Sequence, residues 1–135
     1  MNFSDEVRPS LTSYLFVIAP FIALILVKGL TGKWLDVFYT SDWSIASAMI
    51  YMTSAINVRS ATSKFSGNIK QSGLDFFMAR TFMMAMINIV VYVVFLTAPS
   101  ITVGCVQIGL FICASLAHFK YGRAATRLSE APKID

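Results

Sequence analysis

The chain has 135 residues, enough for one domain, with 56% hydrophobic and 13% charged residues. A soluble domain carries about 25% charged residues, so this composition, with a mean hydropathy of +0.68, excludes a disordered chain, a disulfide scaffold and a free nucleic-acid binder. It points to an integral membrane protein of the all-α class.

In chain order, four apolar runs read Leu11 to Val27, Ile45 to Val58, Phe76 to Leu96 and Ile101 to Phe119. A helix needs about 20 residues to cross about 30 Å of hydrocarbon. The first, third and fourth runs meet that length. The second reaches it by taking in Trp43, Ser44 and the stretch from Arg59 to Ala61. The expected architecture is a four-helix transmembrane bundle forming a single polytopic domain over 1–135, with spans at 11–28, 43–61, 76–96 and 101–119. A basic tail at 120–135 follows, polar and frayed from Tyr121. The first run is expected to be a span rather than a cleaved signal: Asp5, Glu6 and Arg8 sum to −1 ahead of it, where a signal needs a basic flank. Pro20 is a point where that span can kink.

The first connection, 29–42, carries Trp34, Phe38 and Tyr39 at helical spacing, which predicts a short interfacial helix between spans 1 and 2. Ser41 or Asp42 would then cap the second span. The second connection, about Ser60 to Asp75, is polar and basic, with turns at Gly67-Asn68 and Ser72-Gly73. The third, from Thr97 to Ser100, is uncharged and makes spans 3 and 4 a tight hairpin.

An even number of spans places both termini on one side. That side holds Arg8, Arg59, Lys64, Lys70, Arg80, Lys120, Arg123, Arg127 and Lys133, nine basic residues, against Lys28 and Lys33 on the other. The positive-inside rule then predicts a multi-pass protein of a bacterial-type cell inner membrane with both termini cytoplasmic. The basic tail reads as a topology signal and an anionic-lipid contact, with no nucleic-acid partner.

Counting argues against an enzyme. His118 is the one histidine, so no two-histidine metal site exists. Cys105 and Cys113 stand two turns apart on one helix and cannot bridge to each other. No nucleophile elbow or phosphate loop is present. Hence no catalytic residue, no metal and no cofactor are expected.

The candidate functional residues are polar stripes. In span 2, Ser44, Ser47, Tyr51, Ser54 and Ala61 share one helical line, with Asn57 near it. In span 3, Thr81, Ala85, Asn88 and Tyr92 form a second line. Asn88 is mid-span, and an unpaired amide in hydrocarbon costs several kcal/mol, so it needs a partner. Such stripes either pack against helices or line water. Span 4 carries a close-packing ladder, Cys105, Gly109, Cys113 and Ala117, four residues apart. Gly104, Gln107, Ala114 and His118 lie on the adjacent face. His118 there could sense pH or sit among headgroups. Arg80 is the one intramembrane charge, a snorkelling anchor or a gating charge, with Asp75 its candidate partner.

No residue motif of any family is present. The layout alone is similar to that of colicin-type immunity proteins, phage-exclusion membrane proteins and small transport subunits, an analogy of arrangement only. Two expectations follow. The first is a homo-oligomeric ion channel or pore, a permeability-altering effector of the antiviral-defence or exclusion kind. The second is an immunity or accessory subunit that binds another protein within the lipid bilayer or at its cytoplasmic face.

Overall fold

A computed structural model describes residues 3–65 and 67–130. Four α-helices account for nearly all of them: α1 (Phe3–Leu30), α2 (Asp42–Lys64), α3 (Gln71–Thr97) and α4 (Ile101–Ser129). A single 3₁₀ turn, Trp34–Val37, sits between α1 and α2. There is no strand among the described residues. Ser10–Leu30 of α1, α3 and α4 are long and apolar enough to cross a membrane, the signature of a multi-pass membrane protein. Their outer faces fit that setting: Phe16 is 80% exposed and Leu116 67%. Such side chains suit contact with lipid rather than water.

The second helix differs in composition and in place. Its hydroxyls and basic residues leave it outside the set of apolar spans, yet it is the helix most enclosed by the others. It packs most extensively on α4 and next on α3, while α1 leans on α4 and barely touches α2. Side-chain bonds give the directions. Ser44 reaches Gln107 and Ser54 reaches His118, so α2 and α4 run parallel. Tyr14 reaches Ser115 and Ser10 meets Gly122, so α1 is antiparallel to α4.

An aromatic cluster ties three helices together near the loop end. The ring of Phe21 lies 4.6 Å from Trp43 and 5.4 Å from Phe111, and Trp43 lies 5.1 Å from Phe111. The Trp43 indole N–H donates to the Val37 carbonyl at 2.9 Å. Two glycines let α4 approach its neighbours: a Cβ on Gly104 would overlap the Phe38 carbonyl, and one on Gly122 would overlap the Ser10 hydroxyl. The chain leaves α1 through Gly32, whose φ of +70° is the left-handed conformation glycine adopts without cost.

Four sequence expectations need correction. The short helix expected between α1 and α2 is present but reduced to one 3₁₀ turn, Trp34–Val37, whose Asp36 pairs with Lys28 of α1 at 3.0 Å. Ser41 stands at the cap position of α2 in αR conformation with no side-chain cap bond. The polar second connection shrinks to 65–70, since α2 continues to Lys64 and α3 begins at Gln71. The tail is not frayed at Tyr121: α4 runs on to Ser129, held by Tyr121 against Phe77 at 4.7 Å and by buried Gly122, Ala125 and Thr126. Lys133 lies outside the described residues. At Pro20, α1 continues without a break in its helical assignment.

Candidate polar site inside the bundle

The polar stripe of α2 turns inward. Ser44, Ser47, Tyr51, Ser54 and Ala61 are all buried, while Asn57 is half-buried near the terminal end. From α3, Thr81 and Asn88 are buried and Tyr92 is half-buried. Within one chain, therefore, both stripes form the packed interior.

Much of their hydrogen bonding returns to their own helices. Ser47 donates to the Trp43 carbonyl at 2.7 Å, Ser54 to Ile50 at 2.8 Å, Thr81 to Phe77 at 2.8 Å, and the Asn88 Nδ2 to Met84 at 2.8 Å. Bonding four residues back satisfies a hydroxyl without a neighbouring helix. The Asn88 amide thus finds half its partner locally. Its Oδ1 and the Gln107 Nε2 are buried with no protein partner, each carrying a desolvation cost of about 1–3 kcal/mol.

The bonds that cross between helices come from residues on the inner face of α4. Gln107 Oε1 accepts from the Ser44 hydroxyl at 2.8 Å. Nearer the terminal end, His118 is 3% exposed and bonded on both ring nitrogens. Its Nδ1 meets Ser54 Oγ at 2.9 Å, and its Nε2 meets the Ser10 carbonyl at 3.1 Å and Ser13 Oγ at 3.3 Å. Tyr14 stacks on the imidazole at 5.9 Å and donates its hydroxyl to Ser115 at 2.8 Å. Below this cluster a polar cavity of about 340 Å³ opens at the terminal end, bordered by Ser10, Ser13, Asn57, Lys64, Thr126 and Glu130.

Sequence reasoning placed His118 and Gln107 on a face beside the ladder and gave that face no packing role. It missed Ser10, Ser13, Tyr14 and Ser115 altogether. A signal was present for α4: Gly104, Gln107, Ala114, His118 and Gly122 follow helical spacing as closely as the ladder does. The ladder itself points away from the bundle. Cys105, Gly109 and Cys113 are exposed, Ala117 is half-buried, and a Cβ on Gly109 would meet nothing within 4 Å. Its close-packing role does not operate inside the chain. Arg80 is exposed, and Asp75 takes a hydrogen bond from Gln71 at 3.2 Å in place of an ion pair with it. No group of three metal-ligating side chains occurs among the described residues.

No protein-family model, curated protein or solved structure matches this chain.

Proposed function

We propose that this is a non-enzymatic inner-membrane protein that acts by lateral association in the bilayer, as an immunity or accessory subunit binding another membrane protein. In this reading α2 crosses the membrane with the other three helices, and both termini lie in the cytoplasm. The observation that carries it is the direction of the polar groups. The stripes of α2 and α3 are spent inside the chain, while the outward surface offers apolar side chains and the small-residue line Cys105, Gly109 and Cys113 of α4. In lipid, helices associate through small residues that let backbones approach, so that line is the natural contact for a partner helix or a second copy.

The pore reading, a homo-oligomeric effector of defence or exclusion, has one observation in its favour: the unpartnered Asn88 Oδ1 and Gln107 Nε2 inside the bundle are polar atoms that water could satisfy. Thiol chemistry separates the two readings. With Cys105 and Cys113 changed to Ala, single cysteines at Ser47, Ser54 and Asn88 are expected to stay unreactive to a water-soluble maleimide in native membranes. Rapid labelling at all three would replace the association reading with a water-lined pore.

A further inference from the structure

We infer that His118 is a proton-binding site, loaded from the polar cavity at the terminal end of the bundle. The inference rests on a count of hydrogens around the ring. Nε2 lies 3.1 Å from the Ser10 carbonyl, and a carbonyl only accepts, so Nε2 carries a hydrogen. Nδ1 lies 2.9 Å from Ser54 Oγ, and that hydroxyl can accept from Nδ1 because its own hydrogen has the Ile50 carbonyl within reach at 2.8 Å. Ser13 Oγ, with the Ser10 carbonyl at 3.0 Å as a target for its hydrogen, can likewise present a lone pair to Nε2 at 3.3 Å. Tyr14, stacked on the ring, sends its hydrogen away to Ser115, which sends its own to the Phe111 carbonyl. Every group on the two ring nitrogens can thus accept a hydrogen, as a doubly protonated imidazolium requires. The face of Tyr14, 5.9 Å away at 28°, lies within the distance at which an aromatic ring attracts a cation.

The neutral ring is served by the same hydroxyls. In the neutral ring Nε2 keeps its hydrogen for the Ser10 carbonyl and Nδ1 is bare, with Ser54 turning its hydrogen to it. The Ile50 carbonyl that Ser54 leaves keeps its helical N–H bond. Binding is therefore a simple balance: a proton from water adds to the bare nitrogen, and the hydroxyl returns its hydrogen to a backbone carbonyl. The route is short. Ser10 and Ser13 contact Nε2 and also border the cavity, whose about 340 Å³ holds on the order of ten waters at about 30 Å³ each.

The charged and titratable groups around the site come from every helix. From α1 there are Tyr14 on the ring and Arg8 one turn nearer the end; from α2, Tyr51 one turn from Ser54 and Lys64 on the cavity wall; from α4, Tyr121 and the cavity's Glu130; and from α3, Arg80, within electrostatic reach of Tyr51. Among the described residues, neither ring nitrogen is bonded to a carboxylate. The acceptors and the Tyr14 face thus carry the imidazolium.

The site stands independently of any association partner, and because the chain has one histidine it can be read directly. The full-length protein in phospholipid nanodiscs, with ¹⁵N-labelled histidine, would be followed by NMR as pH is lowered. One protonation step is expected between about pH 8 and 4, ending with both ring nitrogens protonated and hydrogen-bonded. In Ser54→Ala the imidazolium loses a charge-assisted acceptor, so proton affinity should fall about tenfold, the size of one hydrogen bond to a charged group. Ser54→Thr, which keeps the hydroxyl, should restore it. Far-UV circular dichroism checks that the variants are folded. A wild-type ring that stays neutral across the range would overturn the inference without any variant, and so would identical titrations of wild type and a folded Ser54→Ala.

Discussion

Two glycines on one helix have opposite surroundings, and the contrast decides what each can tolerate. Gly104 lies against the Phe38 carbonyl, where any side chain collides with backbone, whereas Gly109 faces open space. Gly104→Ala should therefore destabilise the protein by about 1–3 kcal/mol, the range for overpacking a close contact. Gly109→Ala should cost less than about 0.5 kcal/mol, as surface changes do. Thermal unfolding in detergent measures both, and equal losses would contradict the packing described. The same contrast shows which line of α4 is used within the chain, leaving the ladder's outward side for the association proposed above. Spacing reveals that residues share a line, but it does not say whether Cys105, Gly109 and Cys113 or the roughly opposite line of Gly104, Gln107 and Ala114 meets a neighbour. Only the position of a neighbouring backbone separates a contact line from a bare one.

At the scale of helices, hydropathy picked out three runs that lie in helices long and apolar enough to cross a membrane, but it ended α4 too early. The polar letters after Phe119 read as a tail, since Lys120, Arg123 and Arg127 interrupt the apolar run. In three dimensions Tyr121, Gly122, Ala125 and Thr126 recur at helical spacing and pack against α1 and α3. Backbone amides of 121–129 should then exchange with deuterium at least tenfold more slowly than an unstructured segment, because exchange there requires undocking α4. Protection that ends at Phe119 would restore the frayed tail. The second helix was legible as a helix and as the least apolar one. Its central place was not legible, because a stripe of serines fits a packed interior and a wet lumen equally well.

For the whole molecule, an even number of crossings and the nine-to-two division of basic residues put both ends on the cytoplasmic side in the proposed topology. A reporter fused after Asp135 should be active only where cytoplasmic enzymes are. A periplasmic signal would mean that α2, which falls outside the apolar spans, does not cross, leaving three spans and termini on opposite sides. The arrangement of α2 bears on that outcome. A helix with buried Ser44, Ser47 and Ser54 can sit at membrane depth when α4 and its own carbonyls satisfy those hydroxyls.

The sequence by itself determined the all-α class, the four helices and the runs apolar enough to cross a membrane, because these depend on composition and on the 3.6-residue period, which are local properties. Tertiary structure alone decided which faces meet. It placed the polar stripes inside, turned the ladder outward, and brought Ser10, Ser13, Ser54 and His118 into one cluster, although Ser10 and His118 stand 108 positions apart. No local pattern encodes that meeting. It follows from α4 taking α1 on one side and α2 on the other, which Gly104 and Gly122 permit by leaving room for a neighbour's backbone and side chain.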